Sequence, residues 1–331
     1  HGDGNRPKTS APATPPDRAR SIPSTRTVLT YRAALAADLR THKWNSGLAS
    51  LKAAVLPIIP SAAKKTMNSS LITLLTDFGT ADGYVGAMKG VIFTLNPSAM
   101  VVDITHDIAP QDIMGGALAL AAAAPFFPQG SIHVAVVDPG VGTERKPILI
   151  TWRNRYFIGP DNGLLSLVFP ETEQATVYHL EERSKFLAKV SCTFHGRDVF
   201  APAAAHLSAG VKPEDFGPRL KEWERLEIPR PVFEATGLSG RVIHVDRFGN
   251  LITNVREEDL PLGRQKKQLK IRLADRVITG VRSSYAEARP GETLAVIGSG
   301  GFLEVSQNQG NAASFLGVSV GAYFTVDLNE L

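Results

Sequence analysis

Apolar and polar positions along the chain follow two rhythms. The apolar run Leu71-Ile-Thr-Leu-Leu-Thr76 closes on Asp77 and predicts a buried strand. A turn with a helix-start aspartate, Phe78-Gly-Thr-Ala-Asp-Gly83, leads to apolar residues at helical spacing from Tyr84 to Leu95, which Asn96-Pro97 stops. The cycle repeats: a strand over Met100 to Ile104, a loop through Pro110, a helix over Asp112 to Ala124, and a strand over Ile132 to Val137 ending in Asp138-Pro-Gly-Val-Gly142. Such repetition predicts a parallel sheet covered by helices. Later come a strand pair (147–152 and 155–158), a turn at Gly159-Pro-Asp-Asn-Gly163 opening a short helix, and Cys192-Thr-Phe-His-Gly-Arg-Asp198 leading into a helix over Ala201 to Ala209.

After the hinge Ile228-Pro-Arg-Pro231 the second rhythm begins, with short strands and turns and no long helix. Strands are expected over 238–245, 251–254, 269–273, 294–297, 302–305 and 323–326. The expected fold class is α/β: an N-terminal parallel-sheet α/β domain over 67–230, followed by a smaller all-β, barrel-like domain over 231–331. Residues 1–66 are rich in Pro, Ser, Thr, Ala and Arg and read as a dispensable or disordered leader. They fit an organelle transit peptide or an over-extended start, with Met67 as a natural initiator.

Charge sharpens this division. The formal charge of +4 suggests a basic protein, but residues 1–66 hold 11 of the 36 Lys and Arg and only three acids. The remainder keeps 25 basic and 29 acidic residues, with no sustained basic stripe, so no nucleic-acid partner is expected. The longest apolar runs are alanine-rich and closed by proline, well short of the roughly 20 residues of a membrane span. The single cysteine, Cys192, can form neither an internal disulfide nor a cysteine-rich zinc site, which points to a reducing, cytoplasmic setting.

In parallel sheets ligands gather at the carboxyl ends of the strands. Asp77, Asp138, Arg145, His195 and Asp198 stand on loops that such a sheet would bring together. A metal-assisted hydrolase is one use of that set, but no His-x-x-x-His pattern is present and an arginine would repel a cation. A serine hydrolase lacks its Gly-x-Ser-x-Gly elbow, and the glycines of 138–145 match neither a phosphate loop nor a dinucleotide fingerprint. An Asp, an Arg and a His can together hold one water and make it a better nucleophile without a metal. Asp77 by itself would cap the helix that follows, Asp198 would pair with Arg197 or cap the next helix, and His106 and Asp107 would shape their loop.

Seven segments in order carry a resemblance. They are Thr76-Asp-Phe-Gly-Thr-Ala-Asp82, Asp103-Ile-Thr-His-Asp107 with Pro110, Val137-Asp-Pro-Gly-Val-Gly-Thr-Glu-Arg145, Pro160 with Asn162-Gly-Leu-Leu165, Thr193-Phe-His-Gly-Arg-Asp198, Asp246-Arg-Phe-Gly-Asn-Leu-Ile-Thr-Asn254 and Gly310-Asn-Ala-Ala313. Over about 71–327 the chain resembles the S-adenosyl-L-methionine (SAM) hydrolases, also called SAM hydroxide adenosyltransferases, which are relatives of the SAM-dependent fluorinase and chlorinase.

The resemblance implies attack of water or hydroxide on the ribose C5′ of SAM, giving adenosine and L-methionine, with no metal and no organic cofactor. It implies Asp138, Arg145 and His195 as the water-activating triad and Asp77 as the carboxylate for the ribose hydroxyls. Asp246 would take the methionine amino group and Ser299 its carboxylate. Phe248 and Asn250 would flank the adenine, and the backbone at Asn311 and Ala312 would read its edge. It further implies a homotrimer whose site lies between the α/β domain of one subunit and the β domain of its neighbour. The halogenases resemble the chain less: they carry tyrosine at the place of Asp138, serine at that of Gly196, and an extra loop between the stretches matching Arg145 and Tyr156. About three residues near 307–309 stand as an insertion relative to the halogenases. A SAM halogenase and a non-catalytic SAM or adenosine binding module remain the alternative readings.

Overall fold

The strands and helices of the first rhythm stack into three layers. The computed structural model describes His1 and residues 71–170, 173–260 and 264–328, so the leader reading of 1–66 lies outside the described residues apart from His1. A seven-stranded sheet is built from β1 (Leu71–Thr76), β2 (Met100–Thr105), β3 (Ile132–Val136), β4 (Pro147–Trp152), β5 (Arg155–Pro160), β6 (Thr176–His179) and β7 (Arg219–Leu220). Its order is β2-β1-β3-β5-β4-β6-β7, with the first four parallel and the last three joined antiparallel.

The antiparallel part has a local cause. β4 and β5 are joined by Arg153 and Asn154, both at positive φ (46° and 57°), the two-residue turn whose twist matches a hairpin. The parallel sheet expected from the βα repeats is therefore parallel on one side and hairpin-built on the other.

Alternation along the strands decides which face each residue meets. Ile72, Leu74, Val134 and Val136 pack with Val85, Met88 and Ile92 of α1 (Tyr84–Leu95) and with Ala201, Ala203, Ala204 and Leu207 of α3 (Ala201–Ser208). Leu75, Ala135 and Val137 face Ala117 and Leu120 of α2 (Ile113–Ala123) on the other side. Each fully buried Leu, Ile or Val contributes about 1.5–3 kcal/mol, so the sheet is fixed between two apolar layers. Helix α2 begins as its sequence predicts, with Asp112 accepting from the Gly115 amide at 2.8 Å. Asp82 does not start α1; its N-cap is Gly83, with no side-chain cap bond.

The second rhythm gives a nine-stranded, nearly closed, barrel-like sheet. Its strands are β8 (Val232–Glu234), β9 (Gly237–Val245), β10 (Leu251–Arg256), β11 (Lys270–Leu273), β12 (Arg276–Thr279), β13 (Val281–Arg282), β14 (Thr293–Ile297), β15 (Phe302–Gln307) and β16 (Tyr323–Asp327). The path runs β12-β11-β16-β9-β10-β15-β14-β13, with β8 on β9 and β12 approaching β14. Leu251, Ile271, Leu303, Val305 and Phe324 fill its interior. The short helix α4 (Ala312–Leu316) lies against β15.

His133 on β3 is a titratable side chain buried inside the first part of the fold. It is fully buried, stacked on Phe157 (4.9 Å between ring centres), and its Nδ1 meets the Thr73 hydroxyl at 2.8 Å while Nε2 has no partner. Burial, with the Arg155 charge behind it, pushes its pKa down to about 4. Stability is therefore full above pH 6.5 and is lost as pH falls from 6.5 towards 4, by about 3 kcal/mol. Urea unfolding midpoints measured across that window should fall accordingly, and His133→Leu should flatten the decline.

Candidate active site

Three strand ends and one irregular turn deliver the polar centre. Asp77 follows β1, Asp138 follows Val137 at the end of β3, and Asn162 follows β5, all at carboxyl ends of parallel strands. The Asn162 side chain donates to the Val137 carbonyl at 2.9 Å, which pins the backbone one residue before Asp138. Arg145 returns along the same loop. Its Nε donates to Asp138 Oδ1 at 2.9 Å and its Nη2 to Asp138 Oδ2, a two-point pairing of the guanidinium with the carboxylate.

His195 comes from a different segment. It precedes a π-helical turn over Gly196–Phe200 that runs into α3. Pro202 cannot donate to the carbonyl four residues earlier, that of Asp198, and this carbonyl instead accepts from the Leu187 amide at 3.0 Å. Asp198 is fully buried; it pairs with Arg197 through Nε (2.6 Å) and Nη2 (3.0 Å) and accepts from the Ser191 amide at 2.8 Å. Its role is to hold the 191–198 loop, as its pairing with Arg197 suggests.

The two loops touch where a side chain would not fit. Gly142, at φ +78°, faces the Cys192 carbonyl, and a β-carbon there would sit 2.4 Å from that oxygen. Gly196 is hemmed in by Met88, Phe194 and Phe78, each 3.3–3.4 Å from where its β-carbon would be. Phe78, Tyr84 and Phe194 form an edge-to-face group beside it.

The result is a line of three side chains. Arg145 Nη2 donates to His195 Nδ1 at 2.8 Å, because a guanidinium has no acceptor, and so the proton of a neutral His195 sits on Nε2. Arg145 and Asp138 are only 9% and 5% exposed at their side chains, and the Phe200 ring covers the guanidinium at 5.4 Å. Arg145 Nη1 is buried without a hydrogen-bond partner. An unmatched charged donor in that position is costly unless an oxygen comes to it. Burial lowers the His195 pKa, the Arg145 charge lowers it further, and Asp138 and Asp198 oppose both.

Asp77 does not cap a helix. Its Oδ2 accepts from the amide of Gln111, a residue at φ +67°, at 2.8 Å, which leaves Oδ1 open. His106 shapes the neighbouring turn, its carbonyl accepting from Gly79 and its Nδ1 meeting the Thr76 hydroxyl at 2.8 Å.

A second group forms on the barrel-like sheet. Asp246 accepts from the Phe248 and Asn250 amides (2.9 and 2.8 Å) and from the Asn250 side chain (2.8 Å), closing the turn between β9 and β10. Phe248 at its tip is 75% exposed rather than a core residue. The Gly249 carbonyl accepts from Ala313, which draws this turn against Asn311 and the buried Ala312; Asn311 itself caps α4 through the Ser314 amide at 2.7 Å. Ser299 is exposed in the turn between β14 and β15. Among the described residues no hydrogen bond or ion pair joins this group to the Asp138, Arg145 and His195 line within one chain. Nor do three or more His, Cys, Asp or Glu side chains gather as a metal site among them, and no described helix is long and apolar enough to cross a membrane.

The sequence motifs did not mark Phe200 and Gln111, and they contained Asn162 without giving it a role. Asn162 stood inside a recognised turn, whereas Phe200 had no signal beyond lying five residues after His195.

The chain was compared with known families and structures. The family model for the SAM hydroxide adenosyltransferase N-terminal domain matches residues 72–217, and that for the C-terminal domain matches 240–325; the chain belongs to this family. An (R)-S-adenosyl-L-methionine hydrolase of Salinispora arenicola is 39% identical over 258 residues, covering 76% of this chain and 95% of the relative. The crystal structure of a conserved Thermotoga maritima protein superposes with a TM-score of 0.72 at 38% identity, covering 78% of this chain and all of that one. A fluorinase of Actinoplanes is more distant, at 28% identity over 288 residues, or 77% of this chain and 97% of the fluorinase.

The tautomer can be checked directly. His195 should titrate below 6.5 by NMR, and Arg145→Met should raise that value by removing the adjacent charge, whereas Asp138→Asn should lower it. A native imidazole that titrates above 6.5 would contradict the arrangement.

Proposed function

We propose that the protein hydrolyses SAM to adenosine and L-methionine through one water held by Asp138, Arg145 and His195. The observation that carries this reading is the buried Arg145 guanidinium, tied down at two edges and left with an unpartnered Nη1. An oxygen placed there gains a charged donor that strengthens as negative charge develops on it. His195 Nε2–H orients the same oxygen. The water oxygen forms a bond to C5′, the C5′–S bond breaks with its electron pair going to sulfur, and the water proton passes to Asp138. The neutral thioether of methionine leaves without needing an acid.

Asp77, with one oxygen open, suits the paired ribose hydroxyls, while Phe248 and Asn250 flank the adenine beside the backbone of Asn311 and Ala312. Asp246 and Ser299 take the amino group and carboxylate of the methionine end. The assembly we assign is a homotrimer with sites shared between the α/β part of one subunit and the β part of the next, as the family resemblance implies. The carboxylate at Asp138 and the crowding at Gly196 favour a neutral water over a halide. The Salinispora relative is named for the (R) form of SAM, and we assign that configuration at sulfur to the substrate. No metal or organic cofactor enters the reaction, and the lone cysteine supports a cytoplasmic setting.

Chromatography after incubation with each sulfonium epimer should yield adenosine and methionine from the (R) form; 5′-halo-adenosine in chloride or fluoride would overturn the hydrolase reading. Arg145→Ala should lower turnover by about 100-fold or more with little change in SAM affinity. Asp77→Ala should mainly weaken binding, and equal affinity losses in the two variants would contradict this division. A chelator should leave the rate intact, and light scattering should give three chains per particle.

A further inference from the structure

Behind Asp77 the structure holds a buried imidazole that the proposed mechanism does not use. The register of β1 on β2 slips by one residue, with Leu74 facing Asp103 but Leu75 facing Thr105, so the extra residue Ile104 brings His106 level with Thr76. His106 is buried, and its Nδ1 meets the Thr76 hydroxyl at 2.8 Å. Its Nε2 lies 3.1 Å from Asp103 Oδ1, off the hydrogen-bond axis, and Asp103 Oδ2 accepts from Lys89 of α1 at 2.6 Å. Burial would raise the Asp103 carboxyl, but the Lys89 and His106 contacts outweigh it and hold it below its usual value.

The protons along this line follow from its ends. An ionised carboxylate only accepts, so the proton of a neutral His106 sits on Nε2, and Nδ1 accepts from Thr76. The same Thr76 oxygen accepts from the Phe78 amide at 3.2 Å, so the hydroxyl bridges from the residue before Asp77 to the residue after it. On the far side of the loop the Gln111 amide takes Asp77 Oδ2. An acid, an imidazole and a hydroxyl in line could also activate a nucleophile, but Thr76 is fully buried and reaches no substrate. Turn shape alone does not call for the imidazole either. The bond from the Gly79 amide ends on the His106 backbone carbonyl and would survive any side chain there. What the ring itself supplies is a grip on the Thr76 hydroxyl.

We propose that His106, held by Asp103, is a positioning residue for Asp77: its grip on Thr76 sets the 76–78 backbone from which the Asp77 carboxylate meets the ribose hydroxyls of the substrate. The inference rests on the SAM reading above and extends it to a group that touches no substrate. With the ring in place the Thr76 hydroxyl has one orientation, and Asp77 Oδ1 stays open and aimed. Without it the hydroxyl turns to another acceptor, the Phe78 amide loses its fixed partner, and the carboxylate spreads over several directions.

Calorimetric titration with SAM and with its 2′,3′-dideoxy analogue tests this. The native protein should bind SAM at least tenfold more tightly than the analogue. His106→Leu should lose about fivefold or more in affinity for SAM and less than twofold for the analogue, and in turnover the loss should appear in KM rather than in kcat. His106→Asn, whose side-chain oxygen stands in for Nδ1, should recover most of it. Thr76→Val should show the same contrast as His106→Leu, and the double variant should be no weaker than either single one, because both act through one bond. Equal losses for both ligands, additive losses in the double variant, or an unchanged His106→Leu would overturn the proposal. Equal native affinity for the two ligands would overturn it as well, by removing the ribose hydroxyls from Asp77. Should His106→Leu not fold, the Thr76→Val contrast decides alone. Native protein that shows the contrast but releases no methionine from SAM would sink the hydrolase reading and leave the positioning role standing; hydrolysis with equal losses in His106→Leu would sink the positioning role alone.

Discussion

The buried guanidinium of Arg145 is the constraint around which the first half of the molecule is organised. An arginine does not lose its proton in a protein, so a site that hides one must answer its charge. Asp138 does so from the same loop at two points, and His195 must remain neutral to accept the third contact. Removing one partner of such a buried pair typically costs about 3–5 kcal/mol, so Asp138 and Arg145, to which we assign the activation of water, also hold their loop in place.

The sheet supplies what that line of side chains needs. Parallel strands end at one edge, and their loops start from fixed points between two apolar layers. Asn162 ties two of those strand ends together, and the close approach of Gly142 to Cys192 brings the arginine loop against the histidine loop. The barrel-like sheet follows a different principle, in which a tight turn satisfies its own aspartate and displays an aromatic ring to solvent. Phe248 is 75% exposed in the single chain, held at the tip of the turn by the Asp246 carboxylate.

Much of the fold was legible because it rests on local periodicity. The apolar spacing of 85, 88 and 92 marked α1 to its last residue, and the run from Leu71 marked β1. The strands of 176–179, 219–220, 232–234, 276–279 and 281–282 were not foreseen: they are two to four residues long, and pairing rather than pattern makes them strands. Asp82 misled because an aspartate near a helix start reads as a cap, yet Gly83 takes that position. Asp138, Arg145 and His195 stood out by themselves as residue types on loops, and the family resemblance grouped them as a triad. Their mutual contact depends on the path of 191–198, fixed by the buried Asp198 carboxylate, whose depth no spacing reveals.

The wide turn after His195 has a consequence for how this site can change. A π turn holds one residue more than an α turn, and each helical residue accounts for about 100° of rotation. Loss of a single residue between Gly196 and Phe200 would let the segment wind into an ordinary helix and swing the imidazole a quarter-turn away from the guanidinium. Length variation there is thus far more disruptive than substitution, and the reading frame of one short coil governs whether the two halves of the centre face each other at all.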